Sequence, residues 1–261
     1  MRRRPLDSTV LAVALPTALL LAFILAPLAA LVLRTSPAAF FAALQRSDVL
    51  TALRLSCVTT LVTLLCAIAL GTPAAYLLAR FSFPGRRVVD ALVDLPIVVP
   101  PAVAGVALLI AFGRRGLFAP LLDTFGIQLS FTTAAVVLAQ LFVSSPFYVR
   151  SARAGFLAVD RRLEEASATL GSSRLATFWR VTIPLALPSL IGGAVLTWAR
   201  ALGEFGATIM FAGNLMGVSQ TMPLAVYLNL ESGDLSTALA LSLILVTASL
   251  AVLLVVRLAE R

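Results

Sequence analysis

The chain has 261 residues, of which 60% are hydrophobic and only 12% are charged, and its mean hydropathy is +1.02. Soluble domains carry about one-quarter charged residues, so this composition excludes an ordinary water-soluble fold and indicates a protein that lies in lipid. Arginine is the only basic residue behind the formal net charge of +8, because the sequence has no lysine and no histidine. The absence of histidine removes the commonest general base and metal ligand.

Six apolar segments follow one another along the chain, each long enough to cross a bilayer as a helix of about 20 residues. The predicted spans cover residues 10–33, 55–78, 92–112, 132–149, 185–210 and 235–256. The sequence therefore predicts a single all-α polytopic membrane domain over residues 1–261. The first span has the basic flank of a signal peptide, but its apolar run exceeds the roughly 7 to 15 residues of such a signal, so we expect an uncleaved anchor. Cys57 and Cys66 lie within the second span, where we interpret them as small buried hydrophobic residues.

The distribution of arginine predicts the orientation of the spans. Most arginines lie at the two termini and in the loops after the second and fourth spans: Arg2, Arg3, Arg4, Arg80, Arg86, Arg87, Arg150, Arg153, Arg161, Arg162, Arg174, Arg180, Arg257 and Arg261. The opposite loops contain fewer: Arg34, Arg46, Arg54, Arg114 and Arg115. Because cytoplasmic loops retain positive charge, we expect both termini in the cytoplasm. Arginines placed between apolar spans also indicate a lipid bilayer, and no nucleic acid, as the partner.

Proline is concentrated at the start of the third span. Pro96, Pro100 and Pro101 lack amide hydrogens, so carbonyl groups one turn earlier need other hydrogen-bond partners. One proline fits the first turn of a helix, whereas three predict a bend that lies beside other protein or a cavity.

Several polar side chains fall inside the predicted spans. Ser56 and Thr60 lie in the second span and Ser144 in the fourth, where hydroxyls either bond to their own helix or line a polar route. Arg200 and Glu204 are four residues apart in the fifth span and would share one helix face. Each costs about 2.5 to 3.5 kcal/mol if it is unpaired at mid-membrane, so we expect the two to pair or to face water.

The loop between the fourth and fifth spans is the longest predicted cytoplasmic segment. Residues 160–170, DRRLEEASATL, have a helical pattern that places Leu163, Ala166 and Leu170 on one face, and Gly171 is positioned to end the helix. Such a helix rests at the lipid interface or docks on a soluble partner, and the pattern alone leaves both interpretations open.

The same loop carries a motif. From Glu165 it reads EASATLGSSRLATFWRVTIPLALP, which resembles the EAA loop in permease subunits of binding-protein-dependent ABC importers; Ser167 stands where alanine is usual. The resemblance implies that residues 155–184 form the coupling loop, which inserts into a cleft on the ATP-hydrolysing subunit. The coupling residues it implies are Glu164, Glu165, Ala166, Ser167, Gly171 and Pro184.

Three further sequence segments indicate which branch of these permeases the chain resembles. DLPIVVPPAVAGVALLIAFGRRG at 94–116, WARALGEFGATIMFAGN at 198–214 and FPGRR at 83–87 resemble the molybdate and tungstate branch of these permeases, whose nearest relatives carry sulfate. This likeness implies import of a tetrahedral oxyanion by alternating access, most closely molybdate or tungstate, with sulfate or thiosulfate as the alternative. The candidates for the pathway or its gate are Pro100, Pro101, Ser56, Thr60, Ser144, Arg200 and Glu204.

The resemblance also implies a location, the cytoplasmic (inner) membrane of a bacterium or archaeon. The partners it implies are a second copy of the chain, two ATP-binding subunits and an extracytoplasmic oxyanion-binding protein. The sequence has no G-x-x-x-x-G-K-[ST] motif, so we expect the chain to be no enzyme, to hold no cofactor or metal, and to depend on ATP and magnesium bound by the partner ATPase. An ion-coupled secondary carrier usually needs a relay of acidic residues or histidines, whereas only Glu204 lies clearly inside a span. An intramembrane enzyme would need a nucleophile with a base or a metal cluster.

Overall fold

The computed structural model describes residues 8–259 and consists of helices joined by short loops, which confirms the all-α fold class. Arg2, Arg3, Arg4 and Arg261, which support the predicted orientation, lie outside the described residues. The α-helices of the described residues are α1 Ser8–Arg34, α2 Pro37–Gln45, α3 Ser47–Arg80, α4 Arg86–Val98, α5 Pro101–Phe112, α6 Ala119–Thr124, α7 Thr133–Ala158, α8 Arg161–Thr169, α9 Arg174–Thr177, α10 Ile183–Leu202, α11 Gly206–Phe211, α12 Met222–Glu231 and α13 Leu235–Ala259. A π-helical turn, Phe178–Thr182, joins α9 to α10.

Five stretches of the described chain are long and apolar enough to cross a membrane, within α1, α3, α7, α9 to α10, and α13. A sixth span results if α4 and α5 are counted together, although these two helices are bent by 115°. The second span is longer than the predicted residues 55–78, because α3 has 34 residues and therefore extends roughly 50 Å. A helix of that length protrudes beyond a hydrocarbon core of about 30 Å.

Two predicted spans differ from the structure because each is broken. The third, predicted over 92–112, is divided at Val99 and Pro100, where the backbone is extended. The fifth, predicted over 185–210, ends at Leu202, and α11 begins after a short non-helical segment. A hydropathy average over about 20 residues does not detect such breaks, since it reports the composition of a segment and not the course of its backbone.

The centre of the bundle is α7, which packs between α3 and α10. Small residues make this packing close. A methyl group added at Gly155 would lie 2.5 Å from the Ser189 side chain, and one added at Gly193 would lie 2.7 Å from that of Ser151. The Ser151 hydroxyl donates a hydrogen bond of 2.7 Å to the Ser189 carbonyl. Pairs of small residues of this kind bring membrane helices together without a hydrophobic driving force.

The periphery of the bundle is apolar and exposed. The side chains of residues 12–30 in α1 are all exposed, and α1 packs against α13. Such a helix is stable only where lipid covers it.

Candidate coupling site and transport pathway

The loop after α7 folds into a helix with a defined start and end. Asp160 caps α8 by accepting a hydrogen bond of 2.9 Å from the Arg162 amide. At the other end Gly171 has φ +85°, in the left-handed region that favours glycine. The Gly171 and Ser172 amides donate to the carbonyls of Ala168 and Ser167, which is the Schellman arrangement. The helix predicted over 160–170, with its stop at Gly171, is therefore present.

Glu164 fixes α8 to the membrane bundle. Its Oε1 accepts a hydrogen bond of 3.0 Å from the Arg80 guanidinium, at the end of α3, and one of 2.7 Å from the Thr182 hydroxyl. Arg80 also donates to the Val159 carbonyl at 2.9 Å. The Arg80 and Glu164 side chains are only 7% and 18% exposed, so water does not compete strongly for this ion pair.

A polar contact and an aromatic contact hold the second half of the coupling loop in place. The hydroxyls of Ser167 and Thr177 lie 3.0 Å apart, which joins α8 to α9. The Phe178 ring, in the π-helical turn, packs edge-on against Tyr76 of α3 with ring centroids 4.7 Å apart. Pro184 lies in the first turn of α10, directly after the π-helical turn, and the backbone is helical on both sides of that junction.

The opposite surface of the loop is free and partly apolar. Glu165 and Ala166 are exposed. Large apolar side chains of the same loop are also exposed: Leu163, Leu170, Leu175 and Trp179. Exposed apolar side chains of this kind are normally covered by another protein or by lipid. The six predicted coupling residues thus lie within residues 160–184, which we call the coupling knob. In this knob Glu164 contacts the bundle and Ser167 contacts α9, while Glu165 and Ala166 are exposed.

A second group of predicted residues surrounds the broken spans. Arg200 is in the last turn of α10, and Glu204 follows the helix end at Gly203. Their side chains approach to 2.7 Å between Nη1 and Oε2, in charge contact without hydrogen-bond alignment. The other Glu204 oxygen accepts a hydrogen bond of 2.8 Å from the Ala207 amide, in the first turn of α11. The expected pairing is therefore present, but Glu204 lies beyond the helix instead of on its face.

The two breaks touch each other. A methyl group added at Gly206 would lie 2.9 Å from the Pro101 side chain, at the start of α5. One added at Gly105 would lie 2.6 Å from the Ala207 carbonyl oxygen. The bend after α4 and the break after α10 are therefore packed against each other with no room for another atom. Interrupted membrane helices that meet in this way are typical of transport sites.

The three residues predicted to line the route with hydroxyl groups are buried, and each hydroxyl takes part in a hydrogen bond within the chain. Ser56 accepts a hydrogen bond of 2.8 Å from the Met222 amide, and the Thr60 hydroxyl donates one of 2.7 Å to the Ser56 carbonyl. Ser144 donates to the Gln140 carbonyl at 2.6 Å. These bonds describe one conformation, and a lining role for the three residues stays a prediction.

Sequence reasoning did not identify the role of Arg80 or Thr182. It treated Arg80 only as one of many loop arginines and gave Thr182 no role. The available signal was weak, because an arginine at a helix end is common and its partner is distant in sequence.

The fold and this site together define a polytopic helical membrane protein with a rigid loop fixed to one end of its bundle. Residues 67–261 match the family described as the inner membrane component of binding-protein-dependent transport systems. The chain is 43% identical, over 92% of its length and 90% of the relative, to the molybdenum transport system permease protein of Mycobacterium tuberculosis. It is 40% identical to the molybdate/tungstate transport system permease protein of Thermococcus kodakarensis, over 74% of each chain. The chain therefore belongs to the family of binding-protein-dependent inner membrane transport components.

Solved structures have the same fold. A permease chain of a bacterial ABC transporter that imports the polysaccharide alginate aligns over 98% of this chain and 96% of its own, with a TM-score of 0.79 and 16% identity. A chain of the MetNI methionine transporter aligns over 81% of this chain and 92% of its own, with a TM-score of 0.59 and 19% identity. Together with the family match and the relatives, the fold makes the protein a multi-pass inner membrane permease subunit of an ABC importer.

Proposed function

We propose that the chain imports a tetrahedral oxyanion, molybdate or tungstate, as one half of a homodimeric permease with two ATPase subunits. The observation that carries this proposal is the coupling knob, in which Glu164 is held by Arg80 and Thr182 while an apolar surface faces outward. The substrate rests on the relatives from Mycobacterium and Thermococcus, whose names specify molybdenum and molybdate/tungstate.

In the proposed mechanism, a movement of the ATPase subunits reaches the helix bundle through rigid contacts. Closure of the ATP-bound, magnesium-loaded subunits moves the knob. The Arg80 and Glu164 pair passes the movement to α3, and the π-helical turn passes it to α10. At the far end of α10 lie the break and its partner, the start of α5, so the movement separates or closes these two elements. A ligand-driven shift between inward and outward access follows if the ATPase binds one of the two states more tightly.

Buried hydroxyls near the break support a route at this place. Thr197 of α10 and Thr208 of α11 are fully buried, and neither hydroxyl has a hydrogen-bond partner among the described residues. An unpaired buried hydroxyl costs free energy, which is recovered if another conformation exposes it to water or to an oxyanion. Neutral donors also suit a dianion that must be released, because strong cationic sites would retain it.

The proposed orientation places both termini and the coupling knob in the cytoplasm, with the oxyanion-binding protein on the opposite side. The concentration of arginine in the loops at the knob end supports this orientation. Access of a membrane-impermeant reagent to a cysteine substituted at exposed Glu165, in sealed right-side-out vesicles, would contradict it.

Sulfate is the second candidate substrate, because the chain is also 36% identical over 180 residues to a probable sulfate transport system permease protein of Chlorokybus atmophyticus. Proteoliposomes that contain the permease, its ATPase and its binding protein decide between the two. We expect ATP-dependent uptake of labelled molybdate that excess tungstate abolishes and equal sulfate leaves intact. Competition by sulfate as strong as that by tungstate would assign the sulfate function, and absence of any ATP-dependent uptake would refute import.

A further inference from the structure

A cavity lies at the knob end of the bundle but outside the coupling loop. The turn between α3 and α4, the first turn of α4 and the last turns of α7 surround a volume of about 700 Å³. Its polar lining comes from Ser82, Gly85, Arg86, Arg87, Asp90 and Arg153. We call this volume the arginine cavity. Three arginines and one aspartate give it a formal excess of two positive charges.

Two of the arginines have no acidic partner in the part of the chain that the structure describes. Asp90 pairs with Arg153, and Asp94, one turn further along α4, pairs with Arg150 at 3.1 Å. Within residues 8–259, no carboxylate lies within ion-pair distance of the guanidinium groups of Arg86 and Arg87. The acidic face of α4 is thus used by α7, and the positive charge of Arg86 and Arg87 is left for a ligand from outside the chain.

The backbone at the start of α4 adds to the positive charge of the arginine cavity. The 13-residue helix α4 begins after Gly85, which has φ +84° and no side chain to cap the first amides. The Arg86 amide donates to the Phe83 carbonyl and the Val88 amide to the Gly85 carbonyl. Among the first three amides, this leaves that of Arg87 free within the described residues. A helix start carries a partial positive charge, which favours an anion. Both features occur in the same cavity, so the arginines and the helix start point to one ligand.

The surface next to the cavity identifies the kind of anion. Val88, Leu92 and Leu95 follow at helical spacing along α4 and are 61%, 59% and 50% exposed. They form an apolar stripe that begins where the cavity ends. An acyl chain can cover such a stripe, whereas a free ion cannot. We propose that the arginine cavity binds the phosphate of an anionic phospholipid, whose acyl chains lie along this stripe.

The chain offers a matched control, because Gly-Arg-Arg occurs twice, at 85–87 and at 113–115. The test compares the double variant Arg86→Gln, Arg87→Gln with the double variant Arg114→Gln, Arg115→Gln, which has the same net charge. The full-length chain is delipidated in detergent, and binding of phosphatidylglycerol, phosphatidylcholine and inorganic phosphate is measured by native mass spectrometry and by thermal shift.

We expect the unaltered chain to bind phosphatidylglycerol more tightly than phosphatidylcholine. Loss of two interfacial arginines should weaken phosphatidylglycerol binding roughly 30-fold, and the control variant should bind as the unaltered chain does. Equal losses in both variants, or no loss in the first, would refute the site. Binding of inorganic phosphate with no preference for the lipid would refute the lipid assignment. The lipid-free melting temperatures of both variants should match that of the unaltered chain. Transport is not measured, so the outcome is independent of the proposed substrate.

Discussion

The Arg80 guanidinium and the Glu164 carboxylate lie 3.0 Å apart, although 84 residues separate them in the sequence. This contact joins the end of the longest helix, α3, to the helix that carries the coupling motif. Because Arg80 also holds the Val159 carbonyl, one side chain fixes the loop at both its entry and its helix. A rigid connection of this kind is what a subunit needs if force is to reach the bundle from another polypeptide.

Replacement of Arg80 should uncouple the permease. Arg80→Gln leaves Glu164 partly buried without its cation, which costs about 3 kcal/mol locally. We expect binding-protein-stimulated ATP hydrolysis in nanodiscs to fall roughly 100-fold, as that cost implies, while the complex still assembles. The matched control is Arg46→Gln, which removes an exposed pair with Asp48 at the other end of α3 and is expected to have little effect. Equal stimulation in both variants would contradict the role of Arg80.

Gly171 should tolerate asparagine better than alanine. No atom lies within 4 Å of a methyl group added there, so the penalty of Gly171→Ala comes only from the left-handed backbone and is about 1 kcal/mol. Asparagine adopts that conformation more readily. We expect coupled ATP hydrolysis to decrease roughly fivefold in Gly171→Ala and to recover in Gly171→Asn. Equal activity of the two variants would show that the end of α8 does not affect coupling.

Replacement of Gly192 and of Gly193 by alanine should have opposite effects on the melting temperature. A methyl group at Gly193 would overlap Ser151 of α7, whereas one at Gly192 would meet no atom within 4 Å. Overpacking costs about 1 to 3 kcal/mol, so Gly193→Ala should lower the melting temperature in detergent. Gly192→Ala should leave it unchanged or raise it, because alanine favours the helix. A fall of similar size in both variants would contradict the close packing of α7 and α10.

Arg200 and Glu204 should act as a unit. Arg200→Gln leaves a carboxylate that is 1% exposed without its cation, which destabilises the fold by about 3 kcal/mol. Addition of Glu204→Gln removes the stranded charge and keeps an oxygen that can accept the Ala207 amide. We therefore expect the double variant to regain most of the lost melting temperature while uptake stays impaired. Full uptake in the double variant would show that the pair is only structural.

The sequence predicted the elements that depend on local chemistry. Continuous apolar runs identify spans because backbone amides in lipid must bond within their own segment. The helical pattern of residues 160–170 and the stop at Gly171 belong to one short segment, so residues 160–171 alone determine α8. The bend at Pro100 was also expected, because the missing amide hydrogens of Pro100 and Pro101 are a local property.

The tertiary structure decided what connects these elements. The partners of Glu164 are Arg80 and Thr182, which lie in different helices. Likewise, the break at Gly203 becomes informative only because Gly206 packs against Pro101 of a distant span. Hydropathy shows which segments can lie in lipid. Which of these segments contact one another depends on their shape and on charges brought together from remote parts of the chain. For this reason the sequence by itself determined the apolar segments and the helix α8, and only the folded bundle determined which contacts connect that helix to the broken spans.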